Sequence, residues 1–283
     1  MPTVITKPAN RPRRFIPPKP KSTKTPSLPW DKTDAHLPPK ATEFAQGPDL
    51  APLVQKMKEE YPSVSQTSDY KESFTRSCPL TSVIITTYNN SNYLMNISLK
   101  SILNQTYKNI QIIVVADHST DDTDIQISKI KDTRLTYINL PTRTNYPGNT
   151  RRDIWLIAGT VPINLGISKA TGDFITFCDQ DDSFTPDKIE KLVQFSQENQ
   201  CDFIHHPFYV GSPGKITQRY NSEDLCLGKV TTSAVFHHHW FNQIPWDINC
   251  WKIDEPGDWN RFKKFKEIGA KFLRYPEFLT YKG

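Results

Sequence analysis

From Ser82 onward the chain alternates short apolar runs with segments whose apolar residues recur at helical spacing. Ser82-Val83-Ile84-Ile85-Thr86-Thr87 is a β-branched run that predicts a strand ending in the polar turn Tyr88-Asn89-Asn90-Ser91-Asn92. Met95, Leu99, Ile102 and Leu103 then share one helical face. The unit repeats. Ile110 to Val115 reads as a strand buried on both faces, stops at Asp117-His118-Ser119, and leads into a polar helix from Asp121. Leu135 and Tyr137 predict a shorter strand. After a polar excursion through Pro147-Gly148-Asn149, Ile163, Ile167 and Ala170 mark a helical face, with Gly172 where a helix C-terminus prefers glycine. Phe174 to Cys178 predicts the next strand. Thr185-Pro186 then reads as an N-cap with proline at the first helical position, Ile189, Leu192 and Val193 facing inward, and Cys201 to His205 as another strand. Strands alternating with helices predict an α/β domain: a mainly parallel sheet covered on both faces, with ligands collecting at the carboxyl ends of its strands.

The flanks are less regular. Leu50, Leu53, Val54 and Met57 suggest a short amphipathic helix leading into the domain. Beyond Val210 the stretch is rich in aromatics, including Trp240, Trp246 and Trp251, and is expected to face an acceptor; Asp258 to Ile268 reads as a last helix before a strand at Lys271-Phe272-Leu273. The first forty residues differ in kind. They hold ten of the 23 prolines and nine Lys or Arg against Asp31 and Asp34, so the tail carries about +7 of an overall +5 and leaves the remainder about −2. Such a segment buries too little apolar surface to offset backbone entropy and is expected to be a disordered Pro-rich tether. The division expected is therefore residues 1–78 as basic tail with a possible short helix, and 79–283 as the domain. At most the tail would touch a membrane surface peripherally; nucleic acid is not expected as a partner of the slightly acidic domain.

No run approaches the roughly 20 apolar residues needed to cross a bilayer, and the Pro- and Arg-bearing start lacks an apolar signal core. A cytoplasmic location is expected. Five cysteines without paired short spacings argue against a disulfide framework or zinc knuckle.

Candidate chemistry centres on Asp179-Gln180-Asp181-Asp182, between a buried strand and the next helix. Three carboxylates within four residues repel unless positive charge lies between them, and a hard cation such as Mg²⁺ or Mn²⁺ supplies it. An exposed acidic turn capping the next helix is the alternative. Asp117 and the loop Thr86 to Asn90 end two further strands, so three polar loops should converge into a nucleotide crevice. Asp117 can accept from a base imide N–H and Tyr88 can stack on its ring. His237-His238-His239 and His205-His206 lack the spacing of a metal site and are expected to be interface or acceptor-contacting residues. Arg151 and Arg152 are equally readable as phosphate contacts or as a solvated basic turn.

These segments, in this order, resemble the family 2 glycosyltransferases of the GT-A fold. Ser82 to Asn90 matches the family's opening strand and Thr-x-Tyr-Asn loop, and Ser98 to Tyr107 its following helix and Gln-Thr-Tyr turn. Val114 to Asp121 matches the segment with the Asp-Asp-Gly-Ser-like turn; Pro162-Ile163-Asn164-x-Gly166 and Ala170 to Asp173 match the approach to the metal-binding DXD motif, here Asp179 to Asp182. The resemblance implies a three-layer Rossmann-like α/β/α domain that transfers a sugar from a nucleotide-diphosphate donor, UDP-linked by expectation, to a hydroxyl of a carbohydrate, lipid-linked or protein acceptor. It implies donor binding by Thr86, Tyr88, Asn89, Asp117, Asn164, Asp179 and Gln180, a Mn²⁺ or Mg²⁺ ion on Asp181 and Asp179, and inversion with Asp258, in Glu255-Pro256-Gly257-Asp258-Trp259, as base. Asp258 also reads as a carboxylate favoured at a helix N-terminus. Ala116, His118 and Ile163 depart from the family's usual residues and bear on donor affinity, so a catalytically impaired glycan- or nucleotide-binding module is the second reading.

Overall fold

The computed structural model describes residues 43–283; the expected tail over residues 1 to 40 lies outside them. Helices α1 (Ala51–Val64) and α2 (Ser68–Thr75) precede β1 (Thr81–Thr87), and then come α3 (Ser91–Tyr93), a π-helical turn (Leu94–Ser98) and α4 (Leu99–Leu103). The chain continues through β2 (Ile110–Ala116), α5 (Thr123–Ser128), β3 (Leu135–Asn139), α6 (Arg151–Ile157), α7 (Thr160–Lys169) and β4 (Phe174–Asp179). Its last part is β5 (Ser183–Phe184), α8 (Lys188–Asn199), β6 (Phe203–His205), β7 (Phe208–Ser212), β8 (Lys215–Tyr220), β9 (Val235–His238), α9 (Gly257–Ile268), β10 (Phe272–Arg274) and β11 (Thr280–Lys282).

Seven strands form the central sheet in the order β10-β6-β9-β4-β1-β2-β3, and β9 alone runs antiparallel to its neighbours. The continuous apolar strands explain the layering. Alternate residues of one strand point to opposite faces, so Val83 and Ile85 join a core with Leu94, Leu99, Ile189 and Leu192, while Ile84 joins another with Met57, Ile163, Phe262 and Phe265. Two helical layers thus cover one sheet, the α/β/α arrangement the alternation predicts.

Gly166 lets α7 lie flat on the sheet, because a Cβ there would stand 2.5 Å from Ile84 Cγ2. Gly172 has a different role from the one expected: α7 ends at Lys169 with Ala170 extended, and Gly172 is needed because a Cβ would sit 2.6 Å from Ser82 N. Helix α8 likewise starts later than Pro186, with Asp187 at its N-cap position, and the Pro186 carbonyl accepts from Thr106 N–H instead.

The packed body begins upstream of residue 79. Val54 and Met57 of α1 and Tyr70 and Phe74 of α2 are buried in the two cores, and the Tyr61 and Tyr70 hydroxyls donate to the buried Asp202 carboxylate at 2.5 and 2.6 Å. The boundary at 78/79 is therefore corrected. Compositional contrast marks the tail, but apolar spacing, not composition, marks where packing starts. The histidines are corrected too: His237 and His238 are buried on β9, where His237 Nε2 meets the Arg261 guanidinium at 3.2 Å and His238 stacks on Tyr70 at 4.0 Å between centroids. His205 and His206 are buried as well. They are packing residues of the interior; only His239 of the triplet is exposed.

A second, small sheet, β5-β11-β7-β8, begins immediately after the acidic quartet. β11 pairs antiparallel with β5, setting Tyr281 opposite Ser183 and bringing residues 282–283 onto the quartet.

Candidate active site

β1 lies between β2 and β4: the chain leaves β1 for β2 and β3 on one side and returns to β4 on the other. Ligands of open α/β sheets bind at such a switch point. The register sets Thr86 opposite Val115 and Asp179. Side chains then fasten the three loops together. Gln180 Oε1 accepts from Thr87 Oγ1 at 2.7 Å and from Tyr88 N–H at 3.1 Å. Asn89, in the left-handed conformation (φ 43°) that asparagine tolerates, donates from its N–H to Ser119 Oγ at 3.0 Å and accepts from Thr120 N–H at 2.7 Å. Thr86, Tyr88, Asn89, Asp117, Asp179 and Gln180 are thus brought to one sheet edge, with Asn89 and Gln180 acting as latches.

Asn164 is not. Its amide closes on the Trp246 backbone, donating to the carbonyl at 2.9 Å and accepting from the N–H at 2.8 Å. It lines a cavity of about 540 Å³ with Thr171, Gly172, His239 and Pro245, at the end of the sheet where β4 starts. The strand carboxyl ends lie at the opposite end.

Asp117 is buried, and the loop after β3 supplies its partners. Oδ1 accepts from Thr144 N–H at 2.9 Å and Thr144 Oγ1 at 2.6 Å; Oδ2 accepts from the Tyr146 hydroxyl at 3.0 Å and is ion-paired with Arg143. A carboxylate has about four acceptor positions, and all are engaged. The Arg143 guanidinium also lies 3.9 Å from the centroid of the Tyr88 ring, while the Tyr88 hydroxyl is buried without a hydrogen-bond partner among the described residues. Nothing in the apolar pattern of Pro141 to Tyr146 signals this arrangement.

The acidic quartet forms the other half of the crevice. Asp179 N–H donates to Ser233 Oγ at 2.9 Å, and burial, reinforced by the Asp182 charge, pushes the Asp179 carboxyl up to about 8. Asp182 is fully buried; Oδ1 accepts from Gly283 N–H at 2.9 Å and Oδ2 has no hydrogen-bond partner among the described residues. Burial raises its pKa against the opposing pull of Lys282. Asp258, in the first turn of α9, accepts from Trp259 N–H at 2.6 Å, is raised by burial, and contributes to the rise at Asp179. The predicted base and the quartet therefore lie within one electrostatic field. Arg152, by contrast, pairs with Asp254 on the surface, with both side chains largely exposed.

No group of three or more His, Cys, Asp or Glu side chains among the described residues forms a ready-made metal cage. The donor set still suits a hard cation. A buried Asp182 oxygen without a hydrogen-bond partner among the described residues and the raised pKa of Asp179 are both relieved by added positive charge.

The sequence profile described as glycosyl transferase family 2 matches residues 82–154 and 160–261, more than half of the chain. The chain belongs to glycosyl transferase family 2. Among its curated relatives, it is 35% identical over 143 residues to the Escherichia coli UDP-Glc:alpha-D-GlcNAc-diphosphoundecaprenol beta-1,3-glucosyltransferase WfaP, covering 50% of this chain and 51% of that protein. It is 31% identical over 149 residues to the Campylobacter jejuni GalNAc(5)-diNAcBac-PP-undecaprenol beta-1,3-glucosyltransferase, covering 52% and 44%. The chain spans 19% to 51% of the length of the first curated relatives it matches. Staphylococcus aureus TarS 1–349 in complex with UDP has a similar structure, with TM-score 0.54 and 19% identity over 71% of this chain and 59% of that one. Mannosyltransferase PcManGT from Pyrobaculum calidifontis, in complex with GDP-Man and Mn²⁺, gives 0.54 and 15% over 82% and 66%. At these identities the likeness carries the fold, the GT-A type.

In this family 2 chain, sequence reasoning missed Arg143, Ser233, Lys188 and Lys282. Lys188 is fully buried below the quartet, donating to Ser233 O at 2.5 Å and Thr280 Oγ1 at 3.1 Å. A lysine among the inward positions of α8 was the available signal.

Proposed function

We propose that this chain transfers a hexose from a UDP-sugar to an acceptor hydroxyl with inversion at the anomeric carbon. The observation that carries this reading is the convergence of the Asp179–Asp182 carboxylates and Asp258 at the switch-point crevice that Tyr88 and Asp117 border. Asp181, with Asp179, would hold Mn²⁺ or Mg²⁺, which supplies positive charge where the diphosphate departs. Asp258 removes the proton from the attacking hydroxyl, and its raised pKa makes it a stronger base than a solvated carboxylate. Thr86, Tyr88 and Asp117 hold the nucleoside once Arg143 yields its place on Tyr88 and Asp117, with Asn89 and Gln180 fixing the loops that carry them. Lipid-linked glycans on undecaprenyl diphosphate are the first acceptor class to try, because two relatives are named for them.

The test is Mn²⁺-dependent release of UDP across a panel of UDP-sugars, with the unaltered chain and Asp181→Asn compared. The variant should keep its fold and lose release; undiminished turnover in it would defeat the assignment. Arg143, seated on both Tyr88 and Asp117, favours the second reading, a binding module impaired toward donors. Calorimetry with UDP and Mn²⁺ separates the two, since a glycan-only binder takes up no nucleotide.

A further inference from the structure

Lys282 is positioned from three sides. Tyr281 before it pairs with Ser183, Gly283 after it donates its N–H to Asp182 Oδ1 at 2.9 Å, and a Cβ on Gly283 would stand 2.5 Å from the Asp181 carbonyl oxygen. Its ammonium donates to Thr231 Oγ1 at 3.3 Å, two residues from the Ser233 hydroxyl that holds Asp179 N–H. The carboxylates of Asp182, Asp179, Asp181 and Asp258 all hold its pKa above the ordinary lysine value, yet no direct ion pair fixes it among the described residues. The fully buried Asp182, whose charge acts most strongly on it, keeps one oxygen without a hydrogen-bond partner among the described residues.

We propose that Lys282 is a second cation of the donor site, one that opposes binding of free divalent metal and engages the donor's diphosphate once metal is present. The inference rests on the donor-site reading above. An ammonium and a metal ion compete for the same carboxylates, so the lysine weakens metal binding when no other anion is there. A nucleoside diphosphate brings its own negative charge and reverses that sign, since both cations then attract it. Lys282 would thereby couple metal and nucleotide, each raising the affinity for the other.

The full chain, Lys282→Met and Lys282→Arg are compared by calorimetry, with Mn²⁺ alone, with UDP at saturating Mn²⁺, and with uridine as a probe of the base alone. Lys282→Met should bind Mn²⁺ alone about tenfold more tightly and UDP about tenfold more weakly, with uridine unchanged, while Lys282→Arg keeps the parental pattern. Lys282→Gln takes the place of the methionine variant if melting curves find the latter unfolded. Unchanged or weaker Mn²⁺ affinity together with unchanged UDP affinity in the neutral variant overturns the inference and leaves the donor site standing. Absence of Mn²⁺-dependent UDP binding in the unaltered chain overturns the donor-site reading and this inference with it.

Discussion

Replacing Lys188 by methionine removes a buried amine while filling most of its volume. In the native protein Nζ donates to Ser233 O and Thr280 Oγ1 and lies 3.4 Å from the centroid of the Phe184 ring. The ring face and the nearby Asp182 favour the charged amine; burial opposes it and wins, taking the pKa from 10.5 to about 7. The sign follows from proton counting. Between about pH 7 and 10.5 the unfolded chain holds a proton on this lysine that the folded chain has released, so native stability rises with pH across that window. The slope approaches about 1.36 kcal/mol per pH unit. Starting from the midpoint of the folded titration, the gain from pH 7 to pH 9 is about 2 kcal/mol. Lys188→Met lacks this titration. Urea unfolding of both proteins at pH 7, 8 and 9 should therefore give a stability difference that moves by about 2 kcal/mol in favour of the native chain as pH rises. Packing and hydrogen-bond losses shift the difference by a constant, and titrations common to both proteins cancel. A pH-independent difference would refute the reasoning and mean that Asp182 and the ring hold the ammonium at its ordinary pKa.

Three other perturbations probe the neighbouring layers. On the proposed donor reading, Arg143→Ala clears the Tyr88 ring and frees acceptor positions on Asp117, so uridine affinity measured by calorimetry should rise severalfold; a fall would mean the guanidinium holds the base. Gly166→Ala drives a methyl to 2.5 Å from Ile84 Cγ2, and overpacking of about 1–3 kcal/mol should exceed the helix-propensity gain of about 1 kcal/mol; an unchanged melting temperature would show that α7 can lift at no cost. Tyr70→Phe deletes one hydroxyl from the Asp202 carboxylate, a loss of about 1.5–3 kcal/mol for a bond to a charged group, and hydrogen exchange should report loosening of α1 and α2 together.

What could be read in advance follows from the physics of each feature. β1, β2 and β4 are buried on both faces by covering helices, so their sequences are nearly pure apolar runs, and the polar residues that end them had to be loops at one sheet edge. β9 is also central, but Val235-Phe236-His237-His238 satisfies its ring nitrogens against Arg261 and the Tyr70 carbonyl, and a strand with two histidines does not resemble a buried one. Asn164 sat in a matching segment of sequence, yet a helix residue's direction depends on where the helix starts, and Gly159 with φ 84° starts α7 so that Asn164 meets Trp246. The partners of Asp117 come from a loop without periodicity. Only the folded backbone brings Thr144 and Tyr146 back to it.

The acidic crevice poses one electrostatic problem that the small second sheet helps to solve. Asp182, Asp181 and Asp258 raise the cost of ionising Asp179, Asp181 raises that of Asp182, and the aspartates of the quartet follow too closely in sequence to separate. Lys282, from β11, answers them where the carboxylates reach it through space, while Lys188, from α8, is sealed inside as a buried donor that burial drives toward its neutral form. Both depend on one strand, since Thr280 takes the Lys188 bond and Lys282 follows it two residues later. Loosening β11 would therefore disturb both lysines at once, tying the buried donor and the charge of the site to a single strand.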